Sequence, residues 1–235
     1  FQGMLTEVGN LERVGAGVPL RQSEAEKLAK EKQVRIIPCR WVSNAKVING
    51  EPGVRARIVV KDVAGPEKAK SLGISSPTPS AESIKTAIAV AGFSDAFVWT
   101  LDCSAAFMHT PLSSDRTILV KMPLSMSWED GSPLYLRLQK SLNGIRSASL
   151  DWLQFAQSLV KPLNLVSSPM NPCVFTGEGI LMVIYVDDIL VVSRDETVGK
   201  KVWGLFNKQV PTKLTGTLSP HSAGTLKFVG RVIRR

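Results

Sequence analysis

The segment Leu181–Val192 constrains the fold more than any other part of the chain. Six apolar or aromatic residues lead into Asp187 and Asp188, and four more apolar residues follow them. Buried strands avoid charge, because an unpaired ionised carboxylate is costly to desolvate. Two carboxylates about 4 Å apart also repel each other by roughly 4 kcal/mol at an effective dielectric constant near 20. The segment therefore predicts strand structure around two acidic groups that need either solvent or a cation.

Two interpretations of these aspartates are open from the residues alone. In the first, a tight hairpin carries an Asp-Asp turn into solvent, although Asn-Gly or Asp-Gly is the favoured pair there. In the second, a divalent cation removes the repulsion. Upstream, Trp99–Phe107 reads as an apolar strand that ends at Asp102, where an Asp often caps the following turn. One strand-end Asp with a hairpin Asp-Asp also matches a two-metal phosphoryl-transfer site, because Mg²⁺ prefers oxygen ligands.

The composition favours a globular chain with a polyanionic partner. With 235 residues, 44% of them hydrophobic, the chain can bury a core and is not a disordered segment. The 29 Lys and Arg against 20 Asp and Glu give a charge of +9, which suits nucleic acid first and an anionic membrane second. The scattered Cys39, Cys103 and Cys173 argue against a zinc site and for free thiols in a reducing compartment. No signal peptide is evident, and the apolar run at 181–192 is too short to span a bilayer.

The pattern along the chain predicts helices interleaved with hairpins. Residues 1–3 resemble the remnant of a cleavable expression linker, and residues 4–20 lack clear periodicity, which predicts an irregular lead-in. Residues 21–33 predict a short exposed helix. Two strands, Val34–Ser43 and Val54–Lys61, predict a hairpin that turns around residues 49–53 and carries basic residues on its second strand.

The remainder of the chain shows no regular βαβ alternation. Residues 62–80 predict a long functional connection, and Ser80 is the predicted N-cap of a helix that follows it. The further predicted helices cover 148–165 and 195–208. The further predicted strands cover 97–102, 118–122, 135–139, 173–175, 181–192 and 227–233. Such an order of elements favours an α+β fold.

Several sequence blocks together resemble one known family. Tyr185-Val186-Asp187-Asp188 is the signature box of reverse transcriptases, and its surroundings resemble the copia-type branch of LTR-retrotransposon polyproteins. The other blocks that follow the family's order are Trp41-Val42 leading to Lys46, Arg55–Lys61, Leu101-Asp102 through Ala106-Phe107, Lys140-Ser141-Leu142 with Gly144 and Trp152, and Phe228-Val229-Gly230. The resemblance runs from about residue 30 to the end of the chain.

The resemblance implies a right-hand polymerase built from fingers and a palm, with a small antiparallel palm sheet backed by helices. Residues 4–33 would form a lead-in and short helix, 34–95 mainly fingers and 96–235 mainly palm, without the thumb and ribonuclease H domain. The implied activity is RNA- or DNA-directed DNA synthesis, in which nucleotides are transferred to a primer 3′-hydroxyl with two Mg²⁺ or Mn²⁺ ions. The implied partners are template-primer and dNTPs, with no membrane. The implied location is the cytoplasm, within a retrotransposon particle, or the nucleus.

The resemblance also assigns roles to residues. Asp102, Asp187 and Asp188 would be the catalytic, metal-binding carboxylates, with the Cys103 backbone carbonyl completing a cation's shell. Phe107 would be the aromatic gate that excludes a 2′-hydroxyl, although a core Phe explains it as well. The other residues implied to bind the nucleotide are Arg57, Lys61 and Ser147. Those implied to contact template or primer are Tyr185, Val186, Arg55, Lys140 and Arg146. Arg57 and Lys61 are equally compatible with solvated charges.

One block departs from the family. Residues 142–149 read LNGIRSAS, where the family carries a run similar to LYGLKQAP. Ser147 replaces the Gln that touches nucleotide and template strand, and its side chain is too short for the same contacts. Asn143 and Ser149 also differ. The alternative to an active polymerase is therefore a catalytically impaired, polymerase-like module that binds nucleic acid.

Overall fold

A computed structural model describes residues 2–48, 50–63 and 77–235. The helices are α1 Gln2–Val14, α2 Gln22–Lys32, α3 Ala81–Phe93, α4 Ala106–His109, α5 Ala148–Leu159 and α6 Val198–Asn207. The strands are β1 Gly17–Leu20, β2 Ile36–Ile48, β3 Glu51–Val60, β4 Phe97–Cys103, β5 Leu119–Lys121, β6 Tyr135–Leu138, β7 Val166–Ser167, β8 Val174–Gly177, β9 Ile180–Tyr185, β10 Asp188–Ser193, β11 Thr212–Leu218, β12 Thr225–Phe228 and β13 Arg231–Arg234.

These elements form two compact units. The first comprises the described residues of Phe1–Ser75 together with Phe107–Asp151, and the second comprises those of Ser76–Ala106 together with Trp152–Arg235. Both units contain antiparallel sheets and helices, so the α+β prediction is confirmed. Within the described residues, no helix combines the length and the apolar character that crossing a membrane would require.

The first unit is built on a five-stranded sheet in the order β1-β6-β5-β2-β3. Its pairs are antiparallel except β2 with β5, which is parallel. Alternate residues of β2, β3, β5 and β6 point to one face and form the core of this unit with Leu11 of α1. The buried strand residues of that core are Ile37, Cys39, Ile58, Val60, Val120, Leu136 and Leu138.

The prediction of an irregular segment at 4–20 is wrong, because α1 and β1 occupy most of it. Glu7 and Leu11 are four residues apart on one side of α1, and both are buried. A Glu at a core-facing position conceals the apolar repeat that would predict the helix. The Glu7 carboxylate accepts a hydrogen bond from the Ile58 N–H at 3.2 Å, which fixes α1 against β3.

Glu7→Gln is expected to stabilise the fold slightly at pH 7. Burial raises the pKa of Glu7 and outweighs the lowering by the Ile58 N–H and by Arg57 and Arg55. Stability is therefore lost as the pH rises through the folded-state pKa, and the neutral amide avoids that loss while its oxygen still accepts from Ile58. We expect the Tm at pH 7 to rise by about 1–3 °C. The gain in Tm should disappear at pH 3. Glu12→Gln, at an exposed position of the same helix, should show no gain at pH 7. A lower Tm for Glu7→Gln at pH 7 would contradict this account.

The predicted hairpin at 34–61 is confirmed, but its turn is shorter than expected. Pairing of β2 with β3 continues to Ile48 opposite Glu51, so Pro52 and Gly53 lie in a strand rather than in the turn. Pro52 is tolerated there because β3 is an edge strand, where a missing N–H removes no ladder bond. Asn49 of the predicted turn, and residues 64–76 of the predicted long connection, lie outside the described residues.

The second unit is built on a six-stranded antiparallel sheet in the order β11-β4-β10-β9-β8-β7. Helix α3 begins as predicted, since the Ser80 hydroxyl accepts from the Ser83 N–H at 3.1 Å. Its buried residues Ile84, Ala87 and Ala91 join the core with Val98, Val183 and Leu190 of the sheet. Helix α6 contacts Trp99 so closely that a Cβ at Gly199 would lie 2.4 Å from the indole ring.

The end of the chain differs from the single strand predicted at 227–233. β12 and β13 form a two-stranded antiparallel hairpin in which Phe228 pairs with Arg231. Val229 and Gly230 form its turn with φ of +47° and +70°. Positive φ at both central residues is the geometry whose twist matches a tight hairpin. Because apolar residues lie on both sides of this turn, residues 227–233 have the sequence pattern of one continuous strand.

Candidate active site

The sheet register of the second unit brings three predicted carboxylates together. Asp188, the first residue of β10, lies opposite Asp102 of β4 on one side and Tyr185 of β9 on the other. Residues opposite each other in an antiparallel pair project from the same face, with Cβ atoms about 4.5–5.5 Å apart. Asp187 precedes β10 directly, and its carbonyl accepts a hydrogen bond from the Cys103 N–H at 2.8 Å. The backbone thus ties the β9–β10 turn to the end of β4.

The electrostatics show that these acidic groups affect one another. Burial raises the pKa of Asp188 from 3.8 to about 6, and the negative charges of Asp187 and Asp102 add to the effect. Burial also raises the pKa of the Cys103 thiol to about 12, so this cysteine is a neutral neighbour of the carboxylates. A cation beside Asp188 would relieve both its desolvation and the repulsion.

The turn between β9 and β10 is strained at one residue. Asp188 pairs with Tyr185, so the turn residues are Val186 and Asp187, and the interpretation with an Asp-Asp turn is wrong. Val186 has a φ of +53°, which is an outlier for a β-branched residue. Such a conformation costs on the order of 1–3 kcal/mol and persists where surrounding structure imposes it.

Trp152 holds this turn in place. Its indole Nε1 donates a hydrogen bond to the Val186 carbonyl at 2.6 Å. Trp152 is only 1% exposed, and its ring packs against Phe155 and Phe206 at centroid distances of 6.2 and 6.3 Å. A buried ring with few accessible rotamers therefore fixes the carbonyl that precedes Asp187. The resemblance places Trp152 in a family block, but no local sequence pattern predicts this contact.

Asp102 has a basic cross-strand neighbour on the side away from Asp188. On β11, the exposed Lys213 pairs with Asp102, and Thr212 pairs with Cys103. The Ser104 N–H donates to the Pro211 carbonyl at 2.8 Å, which keeps the two strands together beyond the ladder. Asp102 therefore lies between a lysine on one strand and a carboxylate on the other. No sequence motif marks Lys213 as part of this site.

The donor chemistry of the site suits a hard divalent cation. The three aspartates offer only carboxylate oxygens, the ligands that Mg²⁺ and Mn²⁺ prefer. Within residues 2–48, 50–63 and 77–235, no three His, Cys, Asp or Glu side chains are arranged to hold a metal ion as they stand. Binding would therefore need a rearrangement of these side chains, of which Asp102 is half-buried and Asp187 is exposed. The metal role of the Cys103 carbonyl stays a prediction.

Asp188→Asn is expected to stabilise the metal-free protein at pH 8. Because the pKa of Asp188 is raised to about 6 in the folded state, stability is lost as the pH rises from about 4 through 6, and the neutral amide avoids this loss. We expect a gain of roughly 1–2 kcal/mol in the free energy of unfolding, measured by thermal or urea unfolding in EDTA, because solvent screens this half-buried carboxyl and reduces the effect of the full pKa shift. The gain should vanish at pH 3. Asp195→Asn is the control, since hydrogen bonds from Thr197 lower the pKa of that exposed carboxyl; equal or lower stability of Asp188→Asn would argue against mutual repulsion at the site.

Most of the residues predicted to contact nucleotide, template or primer lie in the first unit, whereas the three aspartates lie in the second. Arg55 and Arg57 project from β3, and Lys61 follows that strand with its side chain exposed. Phe107 is half-buried and packs against the core of the first unit, so the core interpretation explains its environment. Its gate role stays a prediction. Tyr185, predicted to contact template or primer, is half-buried against the core of the second unit.

The altered block at 142–149 is tied to the end of β3. The Asn143 carbonyl accepts from the Val60 N–H at 2.8 Å. Gly144 has a φ of +89°, and a Cβ there would lie 2.1 Å from the Val60 carbonyl oxygen, so only glycine fits. Asp62 accepts from the Arg146 N–H at 3.2 Å and forms an ion pair with its guanidinium at 3.3 Å. Burial opposes the ionisation of Asp62, but these contacts and Arg35 outweigh it and lower the pKa of the carboxyl.

Ser147 belongs to a second polar cluster of the first unit. Its hydroxyl donates to Asp151 at 2.8 Å and accepts from Arg116 at 2.7 Å, while Arg116 also donates to Asp151 at 2.8 Å. The nucleotide role predicted for Ser147 is untested, and its hydroxyl is already engaged with protein partners. Sequence reasoning missed Arg116, because a single Arg in a polar loop carries no signal that identifies its partner.

Comparisons with known proteins identify the family of this chain. A family model described as "Reverse transcriptase (RNA-dependent DNA polymerase)" matches residues 26–221. A retrovirus-related Pol polyprotein from transposon TNT 1-94 of Nicotiana tabacum is 29% identical over 214 residues, covering 83% of this chain and 16% of the relative. The transposon Ty1-DR5 Gag-Pol polyprotein of Saccharomyces cerevisiae is 25% identical over 162 residues, covering 68% of this chain and 9% of the relative. The predicted resemblance to copia-type retrotransposon proteins is confirmed, and the chain spans less than a fifth of these relatives.

Proposed function

Because the chain belongs to the reverse transcriptase (RNA-dependent DNA polymerase) family, we propose that it forms the fingers and palm of a polymerase that extends a primer by two-metal nucleotidyl transfer. The single observation that supports this most is the register that sets Asp188 opposite Asp102, next to Asp187 in the turn. In the proposal the second unit is the palm and the first unit the fingers.

The proposed reaction joins the primer 3′-oxygen to the α-phosphate of a dNTP and releases pyrophosphate. Asp102, Asp187 and Asp188 would hold Mg²⁺ or Mn²⁺, with the Cys103 carbonyl as a further oxygen donor. Bound divalent cations would activate the attacking oxygen and neutralise charge on the phosphate. The Trp152 indole and the Cys103 N–H keep the turn that carries Asp187 in one position. Such fixed geometry is what positioning catalysis requires.

Other residues supply charge and shape for the polyanionic substrates. Arg57 and Lys61 would meet the dNTP triphosphate, while Arg55 and Lys140 would meet the backbone of template or primer. Phe107 would contact the sugar of the incoming nucleotide. Arg146 is paired with Asp62, so in this proposal it shapes the nucleotide side of the first unit rather than binding a phosphate itself. The whole polyprotein would act in the cytoplasm within a retrotransposon particle, or in the nucleus.

Primer extension tests the proposal. The chain is incubated with a labelled primer on an RNA or a DNA template, with one dNTP at a time and with Mg²⁺, Mn²⁺ or EDTA. We expect incorporation of the dNTP that matches the template base, and none in EDTA. Incorporation that ignores the template base, or that survives EDTA, would contradict template-directed metal-dependent synthesis.

A polymerase-like module that binds nucleic acid without catalysis is the second candidate. The observation that favours it is the engagement of Ser147 with Arg116 and Asp151, in the block where the family carries a longer Gln. This candidate predicts salt-sensitive binding of primer-template with no incorporation in Mg²⁺ or Mn²⁺. Template-dependent incorporation rules it out.

A further inference from the structure

A cationic pocket in the first unit contains Lys140, which the proposed function places on template or primer, and two arginines that the proposed function does not use. It has a volume of about 430 Å³, within the range of ligand pockets. Three basic side chains and several hydroxyls line it, and none of its lining residues is acidic. The polar lining residues that matter here are Ser113, Ser114, Arg116, Thr117, Arg137 and Lys140.

The backbone around this pocket is fixed at both ends. The segment 112–117 begins beside Gln139, the residue that follows β6, where the Leu112 N–H donates to the Gln139 carbonyl at 2.9 Å. It returns where the Ile118 carbonyl accepts from the Leu138 N–H, also at 2.9 Å. The segment therefore arches beside the end of β6, and the pocket lies between them. Preformed walls reduce the entropy that a ligand must lose on binding.

Arg116 is held rigidly within this arch. Asp151 and Ser147 each accept one of its N–H groups, at 2.8 and 2.7 Å. A guanidinium has five N–H donors, so this fixation leaves three for a ligand. An arginine whose orientation is set beforehand loses less side-chain entropy when it binds a phosphate group.

The other two cations are not compensated by carboxylates. Within the described parts of the chain, no Asp or Glu lies within ion-pair distance of Arg137 or Lys140. Arg137 is exposed and Lys140 is half-buried at the rim of the pocket. Two positive charges next to a third create a potential that attracts an anion.

The sheet limits the anion site to the pocket. Leu136 and Leu138 flank Arg137 and point into the core, so Arg137 points to the opposite face. Leu119 pairs with Arg137 and lies on that same face, where it is fully buried. The exposed cations therefore do not continue across β5, and the anion contact is confined to the pocket.

We propose that the Arg116–Arg137–Lys140 pocket binds a backbone phosphate of a nucleic-acid strand. The choice of nucleic acid rests on the proposed function, whereas the anion site rests on the pocket alone. Arg116 supplies oriented donors, and Arg137 with Lys140 supplies the uncompensated charge. The contact reads no bases, so its strength should be independent of sequence and sensitive to salt.

The test compares two double variants with the same loss of charge. Arg137→Gln/Lys140→Gln removes the pocket cations, and Lys27→Gln/Lys30→Gln removes two exposed lysines of α2. Binding of a fluorescein-labelled primer-template with a single-stranded template extension is measured by anisotropy from 50 to 200 mM NaCl. We expect the slope of log affinity against log salt to fall by about 2 in the pocket variant, with a Kd about 10- to 50-fold weaker at 100 mM NaCl. The α2 variant should keep a nearly unchanged slope.

The possible outcomes separate the sources of phosphate. Equal salt slopes for the pocket variant and the α2 variant would overturn the proposal. A raised KM for dNTP in the pocket variant, with an unchanged salt slope for primer-template, would also overturn it and would assign the pocket to a free nucleotide. Arg137→Lys/Lys140→Arg keeps both charges and should retain the wild-type slope, which controls for misfolding of the Gln variant. Binding does not require catalysis, so loss of the slope in a protein without extension activity would uphold the pocket while the polymerase proposal fails.

Discussion

Asp187→Asn is expected to lower the rate of primer extension by roughly 10³-fold, with primer-template affinity nearly unchanged. Asp187 lies in the turn next to the Asp188–Asp102 pair, and its amide replacement removes a negative charge from the proposed metal site. The amide is nearly the same size, and the backbone carbonyl of residue 187 still accepts from Cys103. Single-turnover extension in Mg²⁺ measures the rate, and anisotropy measures the affinity.

Glu196→Gln is the matched control for this variant. It removes one exposed carboxylate from the same unit, and it should extend primers like the unaltered chain. Extension by Asp187→Asn at more than a tenth of the normal rate would remove Asp187 from the chemistry. An equal loss in Glu196→Gln would instead indicate that net charge, rather than the position of the carboxylate, limits the reaction.

Trp152→Phe is expected to lower kcat about 10- to 100-fold while the KM for dNTP changes little. The Phe ring keeps most of the buried packing, but the hydrogen bond to the Val186 carbonyl is lost. Leaving this partly buried carbonyl without its donor costs about 1 kcal/mol, at the low end of the range for buried groups. The strained Val186 is then free to relax, and the Asp187 carboxylate leaves its position beside Asp188. Steady-state extension kinetics separate kcat from KM.

Trp203→Phe provides the comparison, because it also removes an indole hydrogen bond to a backbone carbonyl. Trp203 donates to the Thr212 carbonyl at 2.8 Å within the same unit. We expect a similar loss of stability in both variants, but a large fall in kcat only in Trp152→Phe. If kcat falls in proportion to stability in both, Trp152 is a packing residue and does not position the turn.

The sequence predicts the elements of the second unit better than their pairing. The apolar runs around Asp102 and Asp187 predict two strand segments, and the family resemblance implies that their carboxylates meet. Nothing in the local pattern specifies that Asp188 rather than Asp187 lies opposite Asp102, since a shift of one residue reverses every side chain. That register follows from which residues of β4, β9 and β10 are buried together.

The failures of the sequence analysis have a common physical origin. Glu7 is acidic yet core-facing, and the Ile58 N–H and nearby arginines offset only part of the cost of its burial, so α1 shows no apolar repeat. Ser147 and Arg146 were assigned to substrate by resemblance, whereas Asp151, Arg116 and Asp62 provide protein partners for them. Partners distant in sequence are set by the tertiary structure. Local patterns therefore do not reveal them.

The junction of Asn143 and Gly144 with β3 has a consequence for how this segment can diverge. Asn143 contributes its main-chain oxygen to Val60, so its side chain can be exchanged without moving the strand end. Gly144 contributes the absence of a side chain, so no exchange is tolerated there. Substitutions in this segment can therefore change the side chains that it presents while its backbone path stays the same. Under the proposed function, a lineage of such proteins would lose or alter nucleotide recognition before it lost the fold that supports it.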